Sequence, residues 1–104
     1  SSTEHYENIY DLPALVGHRI FNLAKYMAVA LKEVRKCGGI TTLQCNEPVG
    51  NQHAFHFHFH VFPRFKGDDF SKNLLNMQIL APKDRKTYSR KLREYILKHP
   101  VNLK

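Results

Sequence analysis

The chain has 104 residues, of which 42% are hydrophobic and 12% aromatic, and its formal net charge is +7. This length allows one domain at most, and the composition is that of a globular rather than a disordered protein. No apolar run approaches the roughly 20 residues that a membrane-spanning helix needs, and the first ten residues have no signal-peptide pattern. Cys37 and Cys45 fit no Cys-x-x-Cys spacing, so we expect a cytoplasmic protein in which both are small buried side chains.

The positive charge is concentrated near the C-terminus. Residues 83–104 hold eight Lys and Arg against two acidic residues, a net of +6, which leaves +1 for residues 1–82. A basic segment can attract phosphate or nucleic acid, but this one lacks the interleaved stacking platform that single-stranded nucleic acid prefers. We therefore predict a domain over residues 1–82 and a basic helical tail over residues 83–104, with nucleic-acid binding the less favoured role for the tail.

A long amphipathic helix is predicted near the N-terminus. Asp11 is placed to cap a helix that begins at Leu12 and runs to about Lys36, before Gly38 and Gly39 end it. Its apolar residues recur at helical spacing, which predicts one stripe that packs on a sheet or on another helix. These residues are Leu12, Leu15, Val16, Ile20, Leu23, Met27, Leu31 and Val34.

Two strands are predicted after this helix. Ile40–Asn46 is rich in β-branched residues, residues 47–51 read as a loop, and residues 54–62 form the second strand, which Pro63 is expected to end. Residues 66–69 are predicted as a turn, residues 73–82 as extended, and residues 84–98 as a helix with Leu92, Tyr95 and Ile96 on one side. Two strands and one amphipathic helix do not complete a sheet, so we expect further strands from residues 1–10 and 73–82, from another chain, or from sequence outside this one.

The second strand contains a histidine at every other position. In a strand, residues i, i+2 and i+4 share a face, so His56, His58 and His60 are predicted on one side. Phe55, Phe57, Phe59 and Val61 are predicted on the other, core-facing side.

Three roles for the histidine face are open from the residues alone. The first is a solvent-facing polar surface. The second is a metal site, which would need a further ligand such as His5, His18 or an acid, because the outer histidines lie about 13 Å apart along a strand. The third is a histidine nucleophile whose neighbours fix its tautomer and bind the charge that develops on phosphate. The third role best uses all three side chains together with Gln52 at the start of the strand.

The stretch from His56 to Phe62 resembles the histidine triad pattern, His-φ-His-φ-His-φ-φ, where φ is apolar. The resemblance extends to Asn46, the "EPVGN" loop, Gln52, the "VFPRFKGDDF" continuation and the "HYENIYDLP" entry into the long helix. It covers roughly residues 3–70 and implies an α+β domain, a HIT-like antiparallel sheet with one long helix. Family members carry strands before the segment that matches "HYENIYDLP", so the sheet is expected to be incomplete at its N-terminal side.

The resemblance also implies a chemistry and a role for each residue. Family members bind nucleotides and cleave at the α-phosphorus, so His58 would form a nucleotidyl-histidine intermediate. His60 and Gln52 would contact the phosphate, His56 would orient the central ring, and Asn46 would lie at the phosphate or ribose edge. His5 matches an upstream histidine that supports the triad. His53 departs from the family pattern, and it is either an additional phosphate contact or an exposed bystander.

A histidine at position 60 favours the hydrolase and phosphoramidase branches over the uridylyltransferase branch. We therefore predict hydrolysis of a dinucleoside polyphosphate or a nucleoside phosphoramidate, with an adenine nucleotide as substrate, no metal, no other cofactor, a homodimer as the assembly and no membrane contact. The alternatives are a nucleotide-binding module without turnover and a metal-binding strand.

Overall fold

The computed structural model describes residues 5–71 and 82–100; the side chains of residues 82–89 are outside the description. A 3-10 turn over Ile9–Asp11 leads into helix α1, Ala14–Arg35. Strands β1, Gly39–Leu43, and β2, His60–Arg64, follow, and the described chain ends with helix α2, Pro82–Lys98. The predicted α+β class is confirmed.

Helix α1 forms where its apolar spacing predicted, but both of its ends differ from the prediction. The Asp11 carboxylate accepts N–H groups from Glu7 and Asn8 in the preceding turn, so it does not cap α1, and Pro13 occupies the N-cap position without a side-chain bond. At the other end Lys36, rather than a glycine, adopts the left-handed conformation at φ 53° and donates its N–H to the carbonyl of Lys32.

Strands β1 and β2 form an antiparallel pair in which Leu43 faces His60 and Gly39 faces Arg64. The prediction that Pro63 ends the second strand is wrong, because Pro63 lies inside β2 opposite Ile40. Proline is tolerated there because β2 has no second partner strand among the described residues, and an edge strand does not need every N–H. Residues 54–59, predicted as strand, precede β2 without ladder pairing.

Helix α1 packs against both strands and against α2. The contact with α2 is aromatic: the Tyr26 ring lies 6.2 Å from the Tyr95 ring, and the Tyr26 hydroxyl donates to the carbonyl of His99 just beyond α2. Arg35 lies over the Phe65 ring at 5.4 Å and so joins the end of α1 to the residue after β2. The predicted contact of α1 with a sheet or another helix is confirmed, and α1 contacts both. Leu15 and Leu23 of the predicted stripe are nevertheless exposed.

The core of the described chain is small. Ala24, Ala30 and Cys37 are its buried apolar residues, whereas Leu15, Phe21 and Val29 on α1 are half exposed or more. Cys37 and Cys45 are both free thiols. Neither α1 nor the described part of the chain around it provides a helix with the length and apolar character to cross a membrane.

The C-terminal helix confirms its predicted position, and it begins at Pro82, where proline fits the first turn. Leu92, Tyr95 and Ile96 are half-buried, as their spacing predicted, while the charged residues Arg93 and Glu94 between them are exposed. The predicted turn is also present, with the N–H of Asp68 donating to the carbonyl of Phe65 at 3.0 Å and Gly67 at φ 83°. Of the segment predicted as extended, 73–82, residues 73–81 lie outside the described residues, and Pro82 is helical instead. The domain division at 82/83 stays a prediction.

Candidate active site at the histidine segment

The three alternating histidines share one face of the chain. The ring centroids of His56 and His58 lie 4.4 Å apart, and those of His58 and His60 lie 5.7 Å apart with an interplanar angle of 21°. The series continues to Phe62, whose ring stacks on His60 at 5.5 Å. The alternation therefore brings the histidine rings together even though only His60 belongs to a hydrogen-bonded strand.

The three histidines differ in their exposure to solvent. His56 and His58 are exposed, and His60 is half-buried. Burial lowers the pKa of His60 below its usual 6.5, and the neighbouring His58 lowers it further. A neutral imidazole carries one donor and one acceptor nitrogen, so at pH 7 His60 can donate a single hydrogen bond to an oxygen beside His58.

The opposite face of the segment is apolar, as predicted, but only in part. Phe57 and Phe59 line a cleft of about 140 Å³ against α1. The cleft is completed by Ile9, Leu12, Gly17, Ile20, Phe21 and Gln44. Phe55 does not join them, since 82% of its surface is exposed.

Gln52 holds three parts of the chain together. Its Oε1 accepts the backbone N–H of Glu47 at 2.6 Å, and its Nε2 donates to the carbonyls of Glu7 at 2.6 Å and Ala54 at 3.0 Å. Both amide hydrogens are thus used. The sequence places Gln52 beside the histidines, and the structure adds that its amide fixes the entry of the chain into that segment.

Asn46 has a similar role at the other end of the loop. Its Oδ1 accepts the backbone N–H of Ile9 and an N–H from Gln44, both at 2.8 Å, and its Nδ2 donates to Gln44 Oε1 at 2.8 Å. The two side-chain amides of residues 44 and 46 therefore pair with each other. They join the end of β1 to the N-terminal 3-10 turn.

The loop between Asn46 and Gln52 has an unusual backbone. Asn51 is left-handed at φ 73°, ψ 23°, a conformation that asparagine tolerates better than most residues other than glycine. Glu47 lies at φ 67°, ψ 157°, a region that belongs almost entirely to glycine. Its backbone is held by the bond to Gln52, and its carboxylate accepts the Tyr10 hydroxyl at 3.0 Å. Sequence reasoning missed Glu47 and Tyr10, because nothing in a glutamate marks a positive φ.

The N-terminal segment runs alongside the histidines. The N–H of Phe57 donates to the carbonyl of Tyr6 at 2.6 Å, which places His5 next to the residue that meets the histidine segment. His5 and His53 are both exposed. No hydrogen bond from either imidazole is found within residues 5–71 and 82–100, so their predicted roles stay predictions.

Arg64 is a structural anchor that the sequence left without a role. Its Nε and Nη2 donate to the two carboxylate oxygens of Asp68 at 2.8 and 2.7 Å, and its Nη1 donates to Thr41 Oγ1 on β1 at 3.0 Å. The guanidinium lies 4.5 Å from the centre of the Phe70 ring. Hydrogen bonding to Arg64 lowers the pKa of Asp68 to about 2.

No group of three or more histidine, cysteine or acidic side chains that could hold a metal ion is found within residues 5–71 and 82–100. The exposed imidazoles of His56 and His58, the neutral His60 and the ring spacing are suited instead to nucleophilic attack with a neighbouring donor. The site can therefore supply a nucleophile and hydrogen-bond donors from one face of one segment.

Comparison with known proteins identifies relatives of this chain. No family model matches the chain. An uncharacterized HIT-like protein of Borreliella burgdorferi is 33% identical over 81 residues, which are 73% of this chain and 58% of that protein. The protein named Protein hit of Bacillus subtilis is 33% identical over 67 residues, 64% of this chain and 46% of that protein. The chain thus spans about half the length of these curated relatives.

Solved structures share the fold. A HIT-like protein from Bartonella henselae superposes with a TM-score of 0.73 at 24% identity, over 88% of this chain and 63% of that one. A zinc-bound histidine triad family protein from Mycobacterium smegmatis gives a TM-score of 0.72 at 23% identity, over 91% and 64%. With the same fold, a relative that is 33% identical over 73% of this chain, and histidines at 56, 58 and 60, the chain belongs to the histidine triad (HIT) family.

Proposed function

We propose that this chain contributes the catalytic segment of a nucleotide hydrolase that cleaves at the α-phosphate. The observation that carries the proposal is the position of the exposed His58 ring, which lies 4.4 Å from the His56 ring on one side and 5.7 Å from the ring of the half-buried, neutral His60 on the other. A nucleophile with an orienting neighbour on one side and a donor on the other is the arrangement that covalent catalysis needs.

The proposed reaction has two steps. A ring nitrogen of His58 attacks the α-phosphorus, the bond from phosphorus to the leaving-group oxygen or nitrogen breaks, and the leaving group takes a proton from solvent. Water then attacks the same phosphorus and loses a proton to solvent, the phosphorus–nitrogen bond to His58 breaks with its electron pair on the ring nitrogen, and the nucleoside monophosphate leaves. His60 donates to a phosphate oxygen during both steps, where negative charge develops.

The roles of the amide side chains follow from their bonds. Gln52 is the proposed phosphate contact, and its Nε2 would exchange the carbonyl of Ala54, the longer of its two bonds at 3.0 Å, for a phosphate oxygen. Asn46 is proposed at the ribose edge, with its amide holding the loop at the same time. His53, which is exposed beside Gln52, is a further proposed contact, and His5 supports the segment from the N-terminal side.

We propose a dinucleoside polyphosphate or a nucleoside phosphoramidate of adenine as the substrate, with no cofactor, and a homodimer in the cytoplasm as the working form. The exposed apolar side chains of Leu15, Phe21 and Val29 on α1 support an assembly that covers them. Sedimentation of the purified chain tests this part, since a monomer at micromolar concentration would contradict the dimer.

The activity is tested by incubation with adenylated substrates and by release of AMP. Parent protein is expected to turn over, and H58A to lose both turnover and the covalent intermediate. H18A is the matched control, because His18 is an exposed histidine on α1 and is not one of the alternating histidines. Equal turnover by parent and H58A would contradict the proposal.

A nucleotide-binding module without turnover is the second candidate. The observation that favours it is that Gln52 and Asn46 already use their side-chain amides in bonds within the protein. Neither amide can therefore bind the charge that develops on phosphate without exchanging one of these bonds. Nucleotide-dependent thermal stabilisation without product, unchanged in H58A, would support this alternative over hydrolysis.

A further inference from the structure

A continuous column of rings extends away from the histidines toward the end of β2. The rings of His58, His60 and Phe62 follow one another at 5.7 and 5.5 Å with interplanar angles of 21° and 18°. Phe62 then meets the ring of Phe70 edge-on at 5.5 Å and 80°. We call these four rings the ring column.

The guanidinium of Arg64 packs against Phe70, the ring of the column farthest from His58. The guanidinium of Arg64 lies 4.5 Å from the centre of the Phe70 ring and is itself held by two bonds to Asp68 and one to Thr41. A planar guanidinium held by three hydrogen bonds cannot rotate freely, so the ring stacked on it has a fixed partner.

Burial decreases along the ring column toward His58. Phe62 and Phe70 are half-buried, His60 is half-buried, and His58 is exposed. The exposed ring is thus the last of a series whose inner members are packed. Stacking preferences act over these centroid distances, so the plane of each ring limits that of the next.

We propose that Phe62 and Phe70 are positioning residues that hold the ring planes of His60 and His58. This proposal deepens the proposed function, on which its catalytic meaning rests, but the ring arrangement itself is measurable without turnover. In this role both phenylalanines act through the histidine rings, Phe62 on His60 directly and Phe70 through Phe62.

The test is solution NMR of the histidine ring protons in F62L, F70L and the control F55L. Leucine keeps apolar volume but removes the ring. F62L and F70L are expected to move the ring-proton shifts of His60 and weaken the contacts between the His60 and His58 rings. F55L is expected to leave them unchanged, because Phe55 is 82% exposed and forms no ring contact with a described histidine.

F70L is the second variant in case F62L does not fold, because Phe70 meets the column through Phe62 and forms no ring contact with His58 or His60. F70Y, which keeps the ring, is expected to restore the parent shifts. If F62L and F70L both leave the His58 and His60 rings unchanged, or if F55L changes them as much, the proposal is overturned.

Turnover supplies a second readout that separates this proposal from the hydrolase itself. In an active protein, F62L and F70L are expected to lower kcat about 3- to 10-fold with little change in KM, the range that one aromatic pair contributes. A parent protein without turnover would refute the proposed function alone, and the NMR comparison would still decide the ring column.

Discussion

Replacing Gln52 by alanine removes three hydrogen bonds that join the N-terminal segment, the 47–52 loop and the start of the histidine segment. A typical hydrogen bond contributes about 0.5–1.5 kcal/mol to stability. Three bonds give about 1.5–4.5 kcal/mol, and we expect about 2 kcal/mol because solvent reaches two of them. For a domain of this size the melting temperature should fall by about 8–16 °C.

The assay is thermal and denaturant unfolding of Q52A beside H53A. His53 is the neighbouring residue and is exposed, so H53A should stay within about 0.5 kcal/mol of the parent. If Q52A and H53A unfold at the same free energy, the three bonds of Gln52 do not hold the loop and the reasoning is refuted.

Q52E sharpens the same test because it keeps the shape of the side chain. The introduced carboxylate can still accept from Glu47 N–H, but it cannot donate to the carbonyls of Glu7 and Ala54. These carbonyls disfavour the charged form, so the folded pKa of the introduced group should exceed its unfolded pKa. Its stability deficit is therefore expected at neutral pH and should shrink as the pH falls through that pKa. A deficit that grows on acidification would contradict this.

Three further predictions concern the Arg64–Asp68 pair, the 47–52 loop and His60. D68N should unfold more readily than the parent at neutral pH, and this difference should disappear as the pH falls from about 4 toward 2. The reason is that Arg64 holds the pKa of Asp68 at about 2 against an ordinary 3.8, and the Asp68 carboxylate stabilises the fold only while it is charged. N51A should cost about 1 kcal/mol in denaturant unfolding and N51G almost nothing, because position 51 is left-handed at φ 73°. His60 should titrate below 6.5 by NMR, and still below 6.5 in H58A although by less, because burial is the larger cause and His58 the smaller.

Each of these has a control or a contradicting result. E33Q removes a solvent-exposed pair with Lys36 at 3.8 Å, and its stability should show no comparable pH dependence, since exposed pairs contribute little. Equal stability of N51A and N51G would mean that position 51 is not left-handed in solution. A His60 that titrates at or above 6.5 would contradict its burial beside Phe62.

Local pattern was enough to predict much of the fold. Helical spacing identified α1 and α2, β-branched content identified β1, and alternation brought His56, His58 and His60 to one face. These features depend on period and residue type, which the sequence carries directly. The ends of the elements were harder, because Asp11 bonds backward to Glu7 and Asn8 instead of forward into the helix.

The connections around the candidate site could not be predicted. Gln52 bonds to Glu7, 45 residues away in sequence, and Asn46 bonds to Ile9, 37 residues away. Such partners are set by packing, not by local preference. Arg64 is a similar case, because its role depends on a turn that returns Asp68 to its guanidinium and on the register that brings Thr41 beside it.

The central claim is that His58 becomes covalently nucleotidylated. Rapid quenching of the parent protein with an adenylated substrate, followed by peptide mass mapping, tests it most directly. We predict an adenylyl group on the peptide that contains His58, present in the parent and in H18A and absent in H58A. A protein that releases AMP without any adduct on this peptide, or that carries the adduct unchanged in H58A, would contradict the account.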